Sequence, residues 1–285
     1  MSTNGTFADA FTPAQVADKV KTLGISKAET PFLPLIVLSL MAGAFISLGA
    51  MYYTVVMTNP SDAYGAAKML GGIAFSLGFM LVVIAGGELF TGNNLIVMAW
   101  AKGCVSTKRI LANWTLVYIG NALGALITVY LVFTSGFLDE AHHAVGVTAL
   151  KIGLTKASLS SSEAFVRGIF CNALVCLASW MVYASRTVTD KVFAVIFPIS
   201  AFVAMGFEHC IANMFMIPMA MVAALNPEIV AASGLSAEAL APLNIDGLIN
   251  NIIPVTLGNI LGGAVMVAMA YYIVYLYGQD EGLLK

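Results

Sequence analysis

The chain has 285 residues, 60% of them hydrophobic and only 10% charged, with a mean hydropathy of +0.91 and a formal net charge of −2. A soluble domain carries about 25% charged residues, so this composition defines a polytopic membrane protein, and without a basic stripe it excludes nucleic acid as a partner. Cys104, Cys171, Cys176 and Cys210 stand in or beside apolar segments without CxxC spacing, which predicts buried thiols rather than a disulfide framework or zinc site; no metal and no cofactor is expected.

Residues 1–27 are polar and lack the apolar core of a cleavable signal. Within them Thr12-Pro13-Ala14-Gln15 supplies an N-cap, a proline at the first helical position and a capping-box partner, followed by Val16, Val20 and Leu23. A short amphipathic helix at the membrane face is predicted. Apolar segments of about 20 residues can cross a bilayer as helices. Six are read: 31–57, 66–90 continuing after a break to 101, 110–136, 161–185, 192–207 continuing after a break to 225, and 248–277. Segments 137–160 and 226–247 form the main outer loops. The chain thus divides into an N-terminal region over 1–28, a six-helix channel domain over 29–278 and a tail over 279–285.

The second and fifth spans are interrupted by related polar sequences, Gly86-Gly87-Glu88-Leu89-Phe90-Thr91-Gly92-Asn93-Asn94 and Gly206-Phe207-Glu208-His209-Cys210-Ile211-Ala212-Asn213. Hydrocarbon tolerates irregular backbone and ionisable groups only where they are buried in protein or line a cavity, so both breaks are expected to face a pore. Gly120-Asn121-Ala122-Leu123-Gly124 in the third span matches Gly258-Asn259-Ile260-Leu261-Gly262 in the sixth. Three spans per copy is an odd number, so the second copy enters the bilayer from the opposite side. The predicted fold class is an all-α polytopic membrane protein with six transmembrane helices in an inverted repeat, the copies lying near 31–136 and 161–277. Of the 13 Lys and Arg residues, nine (Lys19, Lys21, Lys27, Lys102, Lys108, Arg109, Arg186, Lys191 and Lys285) fall on the side of the termini. The positive-inside rule places that side in the cytoplasm. The remaining four are Lys68, Lys151, Lys156 and Arg167.

Phe75-Ser76-Leu77-Gly78, Glu88-Leu89-Phe90-Thr91, Gly206-Phe207-Glu208-His209 with Ala212-Asn213-Met214, and Pro254-Val255-Thr256-Leu257-Gly258-Asn259 together resemble the formate/nitrite transporter family over all six spans. The stretch from Ile211 to Met219 is more similar to the formate channels than to the nitrite channels. The resemblance implies an aquaporin-like subunit with its own pore, a homopentamer in a bacterial inner membrane, and a small monovalent weak-acid anion as substrate. Formate comes first, with nitrite and hydrosulfide as alternatives within the family. It also implies roles: Lys156 in an outer basic funnel, Phe75 and Phe202 as the outer constriction, and Phe79, Phe90 and Val175 as the inner one. Between them come His209, Thr91, Asn172 and Asn259. Phe79 stands where leucine is common in the family, and Gly92-Asn93-Asn94 departs from the usual formate-channel break.

His209 is the only histidine in a membrane segment, and an intramembrane ionisable group points to function by default. Glu208 precedes it, but successive residues on a helix do not face each other, so Glu208 is expected to fix backbone or Asn groups, reaching across to the opposite break, and Glu88 to satisfy freed amides rather than touch substrate. An isolated carboxylate in a phenylalanine-lined constriction ideally costs tens of kcal/mol. Protonating a carboxylic acid of pKa about 4 at about pH 7 costs only about 4 kcal/mol. Neutralisation therefore wins at the narrow point, and an imidazole, which titrates near about pH 6.5, is suited to lend the proton. No HExxH or Ser-His-Asp set suggests an enzyme. An aquaporin-like channel for neutral solutes is the alternative from another class, against which the missing Asn-Pro-Ala pair counts. The N-terminal helix is expected to gate the cytoplasmic mouth, to dock a formate-metabolising enzyme, or to lie on the lipid bilayer.

Overall fold

The computed structural model describes residues 10–60 and 62–278; the tail read over 279–285 lies outside the described residues. Helix α1 (Pro13–Ala28) starts at Thr12, whose hydroxyl accepts from the Gln15 amide while the Gln15 side chain accepts from the Thr12 amide. Next come α2 (Phe32–Val56) and α3 (Tyr64–Met80), which continues as a π-helical turn through Leu81–Gly86. After the first break a 3-10 turn, Gly92–Ile96, leads into α4 (Val97–Ala101), and α5 (Thr107–Thr134) ends the first half. The second half repeats this order. Its members are α6 (Ala144–Ala157), α7 (Ser161–Ala184), α8 (Val188–Ala204), the second break and α9 (Cys210–Ala223). Short helices α10 (Pro227–Ser233) and α11 (Ala237–Leu240) connect to α12 (Ile245–Ile260), prolonged by a π-helical stretch Leu261–Met269 and α13 (Ala270–Tyr275).

Five helical stretches among the described residues are long and apolar enough to cross a membrane: Phe32–Val56, Tyr64–Gly86, Thr107–Thr134, Ser161–Ala184 and Ile245–Tyr275. The fifth span of the sequence reading is divided between α8, of 17 residues, and α9, of 14. Several helices begin three or four residues before their apolar run. Hydropathy excludes a polar first turn, whereas capping requires one: Thr187 with Asp190 caps α8. The segment 137–160, read from the sequence as a loop, is largely the 14-residue helix α6. It was hidden because it is too short to span, yet it buries Val145, Ala149, Leu150, Gly153 and Ala157 along one stripe. Three consecutive residues, Ala141, His142 and His143, precede it with positive φ. Of the cysteines, Cys171, Cys176 and Cys210 are buried, but Cys104 is exposed on the turn between α4 and α5.

Glycines let the paired helices touch backbone to backbone. A Cβ on Gly124 would collide with the Leu40 carbonyl of α2, and one on Gly262 with the Ile169 carbonyl of α7. These two contacts occupy corresponding places in the two halves. Buried hydroxyls return to the carbonyl one turn earlier, as Ser47 does to Gly43 and Thr128 to Gly124, both at 2.8 Å, so these hydroxyls are satisfied within their own helices. Overpacking of this kind costs about 1–3 kcal/mol. Gly124→Ala and Gly262→Ala should each lower the unfolding temperature in detergent, whereas Gly65→Ala, with nothing within 4 Å of its Cβ, should leave it unchanged or slightly raised.

Candidate functional site

Both breaks start at a glycine in the left-handed region, Gly86 at φ +101° and Gly206 at φ +70°. A Cβ at either would meet nothing within 4 Å, so the backbone sign rather than space calls for glycine. Breaking a helix frees amides and carbonyls that have no water to bind. One asparagine bridges each break. Asn121 on α5 accepts from the Phe90 amide at 2.9 Å and donates to the carbonyls of Glu88 at 2.8 Å and Ser39 at 2.7 Å. Asn259 on α12 accepts from the Cys210 amide at 2.9 Å and donates to the carbonyls of Glu208 at 2.9 Å and Gly168 at 2.8 Å. Both are fully buried.

The two glutamates of the breaks each anchor a four-residue network. Lys27, at the end of α1, donates to Glu88 at 2.7 Å; Asn93 donates to the other Glu88 oxygen at 2.7 Å and to Asn113 at 2.9 Å; Asn113 donates to the Lys27 carbonyl at 3.0 Å. In the second half Lys156, at the end of α6, donates to Glu208 at 2.9 Å, and Asn213 donates to Glu208 at 2.6 Å and Asn251 at 2.7 Å. Asn251 closes the ring on the Lys156 carbonyl at 2.9 Å. The match fails at two bonds: Asn251 also donates to Glu208 at 3.5 Å, a bond that Asn113 does not make to Glu88. Lys27 also donates to the Asn93 side-chain oxygen at 3.0 Å, whereas the corresponding oxygen of Asn213 is buried without a partner. Lys156 therefore spends fewer of its donors inside the protein.

At the centre the breaks meet. His209 caps α9, its Nδ1 accepting from the Ala212 amide at 3.1 Å, and this leaves the proton of the neutral ring on Nε2. Nε2 lies 2.9 Å from the Thr91 hydroxyl, so the imidazole donates and the hydroxyl keeps its own hydrogen for another acceptor. The Phe202 ring stacks on His209 at 6.1 Å between centroids and meets Phe75 edge-on at 5.8 Å. Glu208 is turned away to Lys156 and Asn213. Asn172 donates to the Asn259 carbonyl at 2.7 Å, and the Cys176 thiol donates to the Thr91 carbonyl at 3.5 Å. These two residues brace the breaks from behind. No group of three or more His, Cys, Asp or Glu side chains among the described residues is placed to hold a metal ion.

A cavity of ≈ 930 Å³ opens at the end of the bundle that carries α6 and runs down to His209, with Phe75, Phe202, Lys156 and Glu208 in its walls. At the opposite end only ≈ 10 Å³ is enclosed, among Val20, Leu23, Gly24, Lys27, Gly92, Leu95, Ile96 and Tyr183, about the space of one water. Between them Phe79, Phe90 and Val175 are buried, Phe90 wedged edge-on against Tyr118 at 4.9 Å and Trp114 at 5.9 Å. The cavity is wide from one face down to the histidine, and α1 packs over the first break at the other end of the bundle.

The sequence reading named Glu88 and Glu208 but not the partners that organise them. Lys27, Asn93 and Asn213 are read there as a cytoplasmic cation and as parts of the breaks, not as ligands of Glu88 and Glu208, and Asn113 and Asn251 are not singled out, although a glutamate five residues before an asparagine recurs in both breaks. Lys27 and Lys156 carried no such signal, since helices far off in sequence deliver them.

Two re-entrant breaks, joined at their tips by a histidine and a threonine and reached through a basic vestibule, define an inverted-repeat membrane channel. The chain belongs to the formate/nitrite transporter family, whose model matches residues 14–273. It is 40% identical to the formate channel FocA of Escherichia coli K12 over 277 residues, covering 96% of this chain and 97% of that protein. It is 41% identical to the formate channel FocA of Haemophilus influenzae over 265 residues, covering 91% and 93%. Among solved structures, a pentameric formate channel with formate bound superposes with a TM-score of 0.80 at 44% identity, covering 86% of this chain and 98% of that one.

An orphaned buried backbone group costs about 1–3 kcal/mol. Asn259→Ala leaves the Cys210 amide and the Glu208 and Gly168 carbonyls short of partners and should abolish the folded channel or its flux, while Asn172→Ala, which frees one carbonyl, should cost less; thermal unfolding and anion uptake in proteoliposomes measure both.

Proposed function

We propose that the protein conducts formate across the bacterial inner membrane, the anion entering through the basic vestibule and crossing the narrow segment as the neutral acid after taking a proton at the Thr91–His209 pair. The observation that carries this reading is the 2.9 Å contact between His209 Nε2 and the Thr91 hydroxyl, flanked by phenylalanines and reached from a cavity bearing Lys156. The hydroxyl hydrogen, left over once Thr91 accepts from the ring, points the first hydrogen bond toward an incoming carboxylate; the proton that neutralises the carboxylate is drawn from the water of the vestibule, so the ring keeps its Nε2 hydrogen and stays neutral. Phe75 and Phe202 exclude the hydration shell, which makes the charged form the costly one. Formate as substrate draws on the formate channels to which the chain is similar. Nitrite and hydrosulfide satisfy the same neutralisation argument and are the rivals.

The end that carries α1 faces the cytoplasm in this reading. Lys19, Lys27, Arg109 and Arg186 gather there, with Lys19 held below its usual range by burial and by nearby Lys191 and Arg186. Five copies assemble around a common axis, each with its own pore, as in the pentameric neighbour. Helix α1 is the cytoplasmic gate: it buries Val16, Ala17, Val20 and Gly24 against the first break and its Lys27 holds Glu88, so withdrawing it opens the mouth that now encloses only ≈ 10 Å³. A formate-metabolising enzyme docking on α1 would have direct leverage on that gate.

Flux of formate, nitrite and hydrosulfide into proteoliposomes, measured side by side, tests the substrate; slower formate than both rivals overturns it. Formate uptake should rise as external pH falls from about 8 to about 6, because each unit supplies about tenfold more of the proton that neutralises the anion. His209→Asn should remove that pH dependence and most uptake while leaving some outward leak of the anion, and Thr91→Val should slow uptake at every pH. Wild-type uptake and pH response in His209→Asn would reduce the histidine to a structural cap. Deleting residues 1–25 should raise flux if α1 is the gate; unchanged flux would leave it a helix resting on the bilayer.

A further inference from the structure

The four basic residues that escape the cytoplasmic set, Lys68, Lys151, Lys156 and Arg167, come from three different helices, yet all line the one open cavity. Against these four cations the cavity wall carries a single carboxylate, Glu208, which is already shared with Asn213. The cations are poorly compensated. Among the described residues Lys68 has no carboxylate partner and lies over the Tyr64 ring at 5.7 Å, Lys151 has none, and Arg167 reaches Glu163 only at 3.9 Å. Lys156 makes one ion pair at 2.9 Å, while the oxygen of Asn213 that would match the second bond of Lys27 stays unpartnered, so two ammonium hydrogens remain for a ligand in the cavity. Its volume of ≈ 930 Å³ lies in the roughly 300–1,000 Å³ range of pockets that enclose drug-sized ligands, far beyond the needs of an anion of three heavy atoms.

A funnel that only steers a monovalent ion needs a positive field, not a chamber. Here the cations share the wall with Met57, Val147, Ile152 and Met216. That mixture of charged and apolar side chains suits carboxylates spaced along a carbon chain. We propose that this vestibule is a binding site for a small organic polycarboxylate, with Arg167 taking one carboxylate as a fork, Lys156 and Lys151 a second, and Lys68 a third or a hydroxyl. Bound there, a polycarboxylate blocks the way of monovalent anions to His209. The inference rests on the reading of this cavity as the anion entrance.

The test uses purified full-length protein in detergent and in proteoliposomes, with citrate as the probe and inorganic pyrophosphate as the purely inorganic polyanion. Calorimetry should give one citrate per subunit, with affinity falling as salt is raised, and external citrate should inhibit formate influx in competition with formate. Each exposed charge pair is worth at most about 1 kcal/mol, so Lys68→Gln with Lys151→Gln together should weaken citrate about tenfold. Lys151→Arg should retain binding, which guards against misreading a folding defect. No citrate binding up to about 10 mM, affinity unchanged in the double variant, or pyrophosphate binding as tightly as citrate would overturn the proposal. Intact formate flux with no citrate binding sinks only this inference; citrate binding without formate flux supports it and sinks the substrate reading.

Discussion

A helix cannot be interrupted inside hydrocarbon unless something replaces the hydrogen bonds it gives up, and in this protein that constraint is met by Asn121 and Asn259. Each side chain supplies one acceptor and two donations to the backbone around a break. The rest follows from where those asparagines stand. They require α5 and α12 to pass close behind the breaks, and Gly120, Gly124, Gly258 and Gly262 let those two helices pack tightly on α2 and α7. They also hold the break tips in register so that Thr91 and His209 meet across the centre at 2.9 Å.

The glutamates solve a different problem. A carboxylate at membrane depth is costly unless paired and fully hydrogen-bonded, and Glu88 and Glu208 each receive a lysine and an asparagine. In return they fasten α1 and α6, helices too short to span, to the ends of the bundle. The same device serves two ends with different outcomes. At the α1 end the lysine donates to both the glutamate and the asparagine, and the pocket beside it is about the size of one water; at the α6 end one asparagine oxygen is left over and the lysine lines a wide basic chamber. Symmetry in the repeat thus coexists with different surroundings at its two ends.

Glu208 illustrates why neighbours in sequence are poor guides to chemistry at such a site. It sits beside His209, but its carboxylate points to Lys156 on another helix while the imidazole points to Thr91 in the other half. The histidine is oriented by the helix it caps, through Nδ1 and the Ala212 amide, and not by an adjacent acid. A ring fixed in one tautomer by its own backbone presents its hydrogen in one direction, toward the Thr91 hydroxyl.

Composition alone determined that this is a membrane protein, since 60% hydrophobic residues cannot be buried in a soluble core of this size. The repeated Gly-Asn and Gly-Glu segments determined the inverted repeat and its two broken spans, because glycine and a polar cluster at membrane depth have few other uses. Local capping at Thr12 and the lone intramembrane histidine were legible for the same reason: each is a short-range rule. Tertiary structure alone decided that α6 is a helix docked like α1, that Lys27 and Lys156 reach the glutamates, and that the four stray basic residues share one chamber. Those facts depend on contacts between residues far apart in the chain, such as Lys27 with Glu88, 61 positions away. Long-range pairing is set by how helices pack, and no periodicity or spacing within a helix encodes which distant side chain will arrive.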